Sequence, residues 1–355
     1  METTAYVPIN VSEKVDAGQS ADAAFADRKV LSKEELKAFH KKSDLRGLWE
    51  LGFAWGSIVV IGAVTVIWPN PLTILAACVL FGGRQMALAA LMHESAHRSL
   101  FKSRWMNDVL GKWLTGAPII EDIDEYRPYH FQHHKYTGQP HKGKTGDPDL
   151  VLIRAYPVGA KSLRRWLRND LLGVTGLRLY KTRIGMKLGL IGRERGRIVR
   201  TWPEGGMREL GSRIVKNYSA PIVVHAAVIT GLALLGVAWL YLPWLVAQLT
   251  VFHFVMRVRV IAEHGMTERG GNMLRNTRTT RARWFNKLFF APHNLNYHLE
   301  HHLYPGVPCY RLAKLHRRLK EVGALDEACL ADGYIDVIRE AGSRQSAKPE
   351  PARAA

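Results

Sequence analysis

Four long apolar segments constrain the fold of this chain more than any other feature of its sequence. They lie at about 49–68, 71–92, 221–242 and 243–260, and the second carries one charged residue, Arg84. As a helix, that second segment reaches about 33 Å, enough to cross the roughly 30 Å hydrocarbon core of a bilayer. Few residues separate the members of each pair. The pattern therefore predicts an all-α integral membrane protein with four transmembrane helices in two hairpins.

Basic residues predict how these helices are oriented. Residues 160–217 contain fifteen Lys or Arg and four Asp or Glu, whereas the expected hairpin bends at 69–71 and 241–243 carry no basic residue. Cytoplasmic segments are usually the basic ones. We therefore expect the long polar segments to form a cytosolic helical cap. The excess of Arg over Lys favours a bacterial cytoplasmic membrane over the endoplasmic reticulum.

The chain divides into three predicted parts. Residues 1–46 form a cytosolic N-terminal segment that is partly disordered, and they contain no apolar run typical of a signal peptide. Residues 47–341 form the membrane domain. Residues 342–355 are rich in Ser, Pro, Ala and basic residues, which predicts a disordered tail.

Charge and cysteine content exclude two classes of function. The net charge is +19, but no nucleic-acid recognition module is present, so attraction to anionic lipid headgroups explains the charge better than nucleic acid does. Three isolated cysteines, Cys78, Cys309 and Cys329, are too few for an iron–sulfur cluster, which needs about four.

Nine of the fifteen histidines are arranged like metal ligands. HESAH has the spacing i, i+4, and both HFQHH and HLEHH have i, i+3, i+4, which brings imidazoles to one side of a helix. A further histidine lies at the end of the fourth apolar segment. All nine fall where the predicted topology can bring them to one membrane surface. The candidate ligands are His93, His97, His130, His133, His134, His264, His298, His301 and His302.

The number of these histidines favours two metal ions. A single zinc takes about four ligands, and a catalytic zinc about three from the protein. Imidazole suits zinc, copper, iron and nickel, so the residues alone do not name the metal. A zinc-dependent membrane hydrolase or a metal-binding receptor is therefore an alternative, although it would leave most of the histidines unexplained.

The same motifs carry a resemblance to a known family. HESAH, YHFQHHKYT followed by GDPDL, AEHG, and NLNYHLEHHLYP resemble, in order and spacing, the three histidine boxes and accessory histidine of the membrane fatty acid desaturases. The resemblance runs from about Gly82 to Pro305. It implies a non-haem enzyme in which the nine histidines bind two iron ions, with His264 as the accessory ligand.

The resemblance also implies a reaction and its partners. Such an enzyme uses O2 and two electrons to insert a double bond into the acyl chain of a lipid or an acyl thioester. The chain shows neither a haem-binding motif nor a dinucleotide fingerprint, so we expect an external donor, either a ferredoxin or a small haem protein with its reductase. A hydroxylase acting on an acyl, sphingoid or carotenoid chain is the alternative, because the same oxidant can deliver oxygen.

Carboxylates near the boxes are candidates to orient the ligands, since metal-bound imidazoles usually donate their second N–H to an acceptor. Three of them adjoin a ligand and two follow the second box. These candidates are Glu94, Asp147, Asp149, Glu263 and Glu300.

Other polar residues have weaker patterns. Asn294 could reach the metals through water or cap the helix that carries HLEHH. His253 lies about three turns before His264 on the same helical face, where it could line a substrate tunnel. The remaining histidines lack a partner at helical spacing. We expect exposure for His40 and His316 and ordinary packing for His141, His225 and His293.

Overall fold

A computed structural model of the protein describes residues 30–140, 145–153, 155–194 and 197–344. Most of these residues are helical. The α-helices are α1 (Lys33–Phe39), α2 (Asp44–Ile67), α3 (Pro71–Ala96), α4 (Arg104–Leu110), α5 (Ile123–Tyr136), α6 (Leu150–Ile153), α7 (Ala160–Leu171), α8 (Val174–Leu188), α9 (Gly206–Leu234), α10 (Tyr241–Leu249), α11 (Val251–His264), α12 (Met273–Asn276), α13 (Trp284–Phe289), α14 (His298–Leu303), α15 (Cys309–Glu321) and α16 (Tyr334–Ala341).

Two small sheets depart from the all-α prediction. β1 (Ile191–Glu194) pairs antiparallel with β2 (Arg197–Arg200), and β3 (Thr279–Thr280) pairs parallel with β4 (Leu330–Ala331). Shorter helical turns complete the structure. They are a π-helical turn at Gly111–Gly116 and 3₁₀ turns at Ala117–Ile119, Ala238–Leu240 and Pro292–Asn294. Most of the predicted disordered regions, 1–29 and 345–355, and His141 lie outside the described residues.

Four helical segments are long and apolar enough to cross a membrane, which confirms the prediction of a membrane protein. They are Asp44–Ile67, Pro71–Ala96, Gly206–Leu234 and Ala238–His264.

A sharp turn separates the first two segments where the sequence predicts it. Asn70 caps α3, and its Oδ1 accepts hydrogen bonds from the backbone nitrogens of Leu72 and Thr73 at 3.0 and 3.1 Å. Pro71 occupies the first helical position, where its missing N–H costs no helical hydrogen bond.

The predicted bend at 241–243 is wrong. The chain leaves α9 at Leu234 and turns through Gly236, which adopts a left-handed conformation with φ 72°. The nitrogens of Gly236 and Val237 donate to carbonyls of the last turn of α9, a hydrogen-bonding pattern that ends many helices. Pro243 follows in the first turn of α10. The third segment also begins at Gly206 rather than at Pro221, which α9 includes.

Helix α3 lies at the centre of the bundle and packs against α2, α10, α11 and α13. Two glycines let neighbours approach it closely. A Cβ on Gly82 would lie 2.5 Å from Cγ1 of Val251, and one on Gly83 would lie 2.6 Å from the carbonyl oxygen of Leu288. Arg84 donates to that carbonyl, as expected for a charge that must pair inside a membrane bundle.

Candidate metal centre

The nine candidate ligands converge where α3, α5, α11 and α14 meet. His93 and His97 end α3, α5 carries the second box, His264 ends α11, and α14 carries the third box. Eight of them are buried, and His97 is half-buried. Four helices from distant parts of the sequence thus place their imidazoles in one cluster.

The cluster divides into two groups, each compact enough for one metal ion. Within each group the candidate ligand atoms lie within 4.8 Å of one another. The five-histidine group comprises His93, His97, His130, His134 and His301, and the four-histidine group comprises His133, His264, His298 and His302.

Helical geometry explains why the second and third boxes serve both groups. Residues at i and i+4 lie about 40° apart around a helix, whereas i+3 lies about 60° away on the other side. His130 and His134 share the five-histidine group, while His133 between them turns to the other group. In the third box, His298 and His302 share the four-histidine group, and His301 turns away from them.

Distances between the ring nitrogens fit metal ligation. Nε2 of His134 lies 3.0 Å from Nε2 of His130 and 3.1 Å from Nε2 of His301. In the other group, Nε2 of His298 lies 2.8 Å from that of His264 and 3.0 Å from that of His302. Two imidazoles at right angles on one ion, with metal–nitrogen bonds of roughly 2.1 Å, have nitrogens roughly 3.0 Å apart.

Several of these nitrogens have no hydrogen-bond partner in the part of the chain that the structure describes. They are both ring nitrogens of His93, Nε2 of His97, and Nδ1 of His134, His298 and His301. Buried polar atoms are nearly always paired, so this many unpaired nitrogens in one place needs an explanation. A metal ion in the five-histidine group would bind those that face it, such as Nε2 of His97, whereas in the four-histidine group it is the short distances between Nε2 atoms that fit an ion. The residues present therefore fit two ions.

The charge state of the imidazoles also suits ligation, because a metal binds the neutral ring. Burial, with the added effect of nearby cations, lowers the pKa of His97 to about 3. Burial and neighbouring imidazoles likewise hold other members neutral. The pKa lies well below its usual range for His130, His134, His298, His301 and His302.

His133 is the exception, because two carboxylates face it. Burial lowers its pKa, but Asp147 and Asp149 outweigh burial and raise it to about 9. Nδ1 of His133 lies 2.7 Å from Oδ1 of Asp147 and 3.5 Å from Oδ2 of Asp149. This contact keeps a proton on Nδ1, so that an ion bound at Nε2, the candidate ligand atom, would have to displace the second proton of the ring.

The other three candidate carboxylates differ in what they contact. Oε1 of Glu94 lies 3.6 Å from Nδ1 of His93, and Oε1 of Glu263 lies 3.7 Å from Nδ1 of His298. Glu300 instead accepts from Thr279 and from Nδ1 of His316, the latter at 2.6 Å.

Two predictions are therefore wrong. The carboxylate of Glu300 bonds groups outside the candidate ligand set, because α14 turns it toward α15, away from the imidazoles. His316 is largely buried against this carboxylate instead of being exposed.

Asn294 also differs from its prediction. Its side-chain amide donates to the carbonyl oxygen of Cys309 at 3.1 Å, and its Oδ1 lies 3.5 Å from Nζ of Lys287. The residue preceding α14 is Tyr297, and it makes no side-chain cap bond. Asn294 thus neither faces the histidines nor caps that helix, because a left-handed backbone with φ 61° turns it toward α15.

Two residues that sequence reasoning missed contact candidate ligands. Oγ1 of Thr137 lies 3.2 Å from Nδ1 of His302, and the carbonyl oxygen of Asn276 lies 3.4 Å from Nδ1 of His264. Thr137 follows His133 at i+4 and could have been found by extending the helical face of the second box. The backbone contact of Asn276 leaves no signal in the sequence.

A cavity of about 250 Å³ lies beside the metal centre. His130, His133, His264 and His298 line one part of it, and His253 lines another. The His253 ring lies 5.7 Å from the ring of Tyr180 and 5.5 Å from that of Phe252. His253 thus faces the same cavity as four candidate ligands, and its role in a substrate tunnel stays a prediction.

The apolar spans and the buried histidines together define a membrane protein with a candidate metal site built from imidazole. The chain belongs to the fatty acid desaturase family, whose family model, described as fatty acid desaturase, matches residues 69–332. It is therefore an oxidoreductase of a di-iron class that acts on lipids. This family assignment disfavours the zinc hydrolase and receptor alternatives.

Named relatives agree with the family. Dihydrorhizobitoxine desaturase of Bradyrhizobium elkanii is 27% identical over 266 residues, which cover 72% of this chain and 69% of that protein. The sn-1 oleoyl-lipid 12-desaturase of Synechocystis sp. is 25% identical over 287 residues, 76% of each chain. A protein of the same name from Picosynechococcus sp. is 24% identical over 249 residues, 64% of each chain.

Proposed function

We propose that each histidine group holds one iron ion and that the pair serves the desaturation of a lipid acyl chain. The observation that carries this proposal is the division of nine imidazoles, eight of them buried, into two groups whose ligand atoms are close enough together for one ion each. Bound iron with O2 would supply an oxidant for an unactivated C–H bond, which redox-silent zinc cannot provide. The protein's own task is then to hold the ligands, bind the chain and exclude water.

The cavity beside the four-histidine group is our candidate for the acyl-chain site. Its lining combines apolar side chains of α3 and α11, such as Met92 and Met256, with the imidazoles at one side. An acyl chain in this cavity would present its methylene groups to both histidine groups. His253 would then contact the chain rather than a metal. Variants of His253 should alter which chain lengths react while leaving iron content unchanged.

The names of two of the three relatives favour a substrate linked to a membrane lipid, whereas the Bradyrhizobium relative is named for dihydrorhizobitoxine. The relatives from Synechocystis and Picosynechococcus are named for an oleoyl-lipid, and their similarity covers 76% and 64% of this chain. We propose an acyl-lipid substrate in preference to an acyl-CoA. Electrons would come from a separate ferredoxin or small haem protein.

We also propose how the helices cross the membrane. In two hairpins, α3 and α11 would end on the same side of the membrane. The residues of 47–341 that lie outside the spans would form a cytosolic cap there. The basic segment 160–217 supports a cytosolic orientation. A reporter fused after residue 344 should therefore be active in the cytosol and inactive on the other side of the membrane.

Lipid analysis of a host that expresses the protein tests the reaction. Mass spectrometry with double-bond localisation would compare the wild type with His134→Ala, and His225→Ala would serve as the control. We expect products lighter by two hydrogens with the wild type and with His225→Ala only. Products heavier by one oxygen would instead establish the hydroxylase. Unchanged lipids in the presence of a matched electron donor would contradict both reactions.

A further inference from the structure

A second, very small cavity lies behind the five-histidine group, on the side away from the ring nitrogens that face one another. Its volume is about 10 Å³, which is about the space that one water molecule requires. The polar side chains that line it are His93, Glu94, His293 and His301. Two of these are candidate ligands, and the other two come from α3 and from the 3₁₀ turn before α14.

Unpaired polar atoms belong to three of these four side chains. Among the described residues, no group bonds Nδ1 of His93, Nδ1 of His301 or Nε2 of His293. His93 and His301 are 1% and 2% exposed, and the side chain of His293 is 4% exposed. Open solvent therefore does not satisfy these atoms. A cavity of this size with several polar partners is the environment in which buried water is held.

The orientation of each ring follows from its other contact. Nε2 of His301 lies 3.1 Å from Nε2 of His134, so its Nδ1 points away from the group. Nδ1 of His93 is the nitrogen on the Glu94 side, 3.6 Å from Oε1. Nδ1 of His293 lies 2.8 Å from Oε2 of Glu50, which leaves Nε2 directed elsewhere.

We infer that this cavity binds one ordered water molecule, and that His293 positions it as the shared outer partner of His93 and His301. The inference rests on the proposed metal site. Imidazoles that bind through Nε2 carry their proton on Nδ1 and need an acceptor there. The water accepts one hydrogen bond from each of these two rings. It donates one to Nε2 of His293 and one to Oε1 of Glu94.

Surrounding contacts keep the two acceptors ready for this role. Glu50 accepts a hydrogen bond from the Nδ1–H of His293, so that Nε2 keeps a free lone pair. Oε2 of Glu94 already accepts from Ser99 and from the nitrogen of Cys309, each at 2.8 or 2.9 Å, which leaves Oε1 for the water. All four hydrogen-bonding positions of the water are then filled.

The backbone at His293 supports a dedicated position for its ring. His293 and Asn294 have φ of 52° and 61°, in the left-handed region that few non-glycine residues adopt. Asn294 holds this turn through its bond to the carbonyl of Cys309. The turn aims the His293 ring at the back of the five-histidine group, and such outliers cluster where the surrounding structure fixes a functional geometry.

Iron affinity of two variants tests the inference. His293→Leu removes both ring nitrogens, whereas His293→Gln keeps a group that can bond the water, and both place a non-glycine side chain on the same strained backbone. We expect His293→Leu to weaken ferrous iron binding by about 10- to 100-fold, measured by competition with a chelator on the full-length protein in detergent. His293→Gln should recover most of the affinity, and His225→Leu should match the wild type.

A structure of the iron-loaded protein at a resolution that shows ordered water gives the second readout. Density for one water within hydrogen-bonding distance of His93, His293 and His301 is expected in the wild type and should be missing in His293→Leu. Equal iron affinity of Leu and Gln variants, or a protein group in place of the water, would overturn the inference alone. If the wild type itself held no iron, the proposed function would fail as well.

Discussion

The two histidine groups differ in what holds the outer nitrogen of each ring. In the four-histidine group, three rings have an outer protein contact at hydrogen-bonding distance, and the fourth faces a carboxylate at 3.7 Å. These contacts join His133 to Asp147, His264 to Asn276 and His302 to Thr137. Three of the four rings of this group are therefore oriented individually by the protein around them.

The five-histidine group has an extra ring, and Nδ1 of His93 faces a carboxylate, Glu94, at 3.6 Å, much as His298 does in the other group. Nδ1 of His93, His134 and His301 has no hydrogen-bond partner within the described ranges. Outer partners fix the tautomer and direction of a metal-bound imidazole. A group with such partners can hold its ion with fewer ligands, whereas a group without them needs more. We expect the four-histidine group to depend on each ligand, and the five-histidine group to depend on their number and on the proposed water.

Removal of a ligand should have the largest effect and should differ between the groups. His302→Ala leaves three histidines around one ion and is expected to lower iron from about two to about one per chain, with loss of product. His301→Ala leaves four and should weaken iron binding without abolishing it, although product is lost as well. Metal analysis of the purified variants measures both. Identical iron loss in the two variants would remove the proposed distinction.

Acid should destabilise the metal-free protein. In six histidines outside the spans, burial holds the pKa below the unfolded value of about 6.5, so the unfolded chain binds more protons as the pH falls below that value. They are His97, His130, His134, His298, His301 and His302.

One histidine opposes this trend. His133, with a pKa of about 9, adds stability that is fully present below about pH 6.5 and is lost as the pH rises through 9. Six groups outweigh one, so we expect the melting temperature of the metal-free protein in detergent to fall from pH 7 to pH 5. A melting temperature that rises over this range would contradict the burial of neutral imidazoles.

Asp147, the carboxylate at His133, should contribute more to iron affinity than Glu300, which is equally buried. Asp147→Asn weakens the acceptor of the Nδ1 proton and is expected to reduce iron affinity by about 10- to 100-fold. Glu300→Gln changes a carboxylate that bonds Thr279 and His316 and should leave iron affinity close to that of the wild type. Chelator competition on both variants compares them, and greater iron loss from Glu300→Gln would reverse our assignment.

The smallest effect is expected far from the metals. His225 on α9 bonds the hydroxyl of Tyr241 at 2.9 Å and lies outside both histidine groups. His225→Leu should cost about 1 kcal/mol of stability through the lost hydrogen bond. Iron content and product should not change. A loss of iron in this variant would indicate that ligand variants act through general destabilisation.

Much of this arrangement could be predicted from the sequence, because helical periodicity and span length are local properties. Periodicity and span length were almost sufficient to predict the four spans and the convergence of the nine histidines. The division of the second and third boxes between the two histidine groups also follows from the sequence. Histidines at i and i+4 stay together, and the one at i+3 turns away. The bend at Gly236 was missed because apolar residues continue on both sides of it, and a glycine within an apolar run gives a weak signal.

The direction of individual side chains was the feature that the sequence predicted least well. Glu300 lies between ligands in the sequence, yet α14 turns it toward His316. Asn294 precedes the third box, but its left-handed backbone directs it to Cys309. Adjacency in sequence fixes neither direction, because neighbouring residues on a helix lie about 100° apart. Contacts from other elements, such as the carbonyl of Asn276, are set only by tertiary packing.

Anomalous X-ray scattering at the iron edge from crystals of the iron-loaded protein tests the central claim most directly. Two separate peaks are expected, one surrounded by the five-histidine group and one by the four-histidine group. A single peak, or an anomalous signal at the zinc edge and none at the iron edge, would contradict a centre of two irons held by nine histidines.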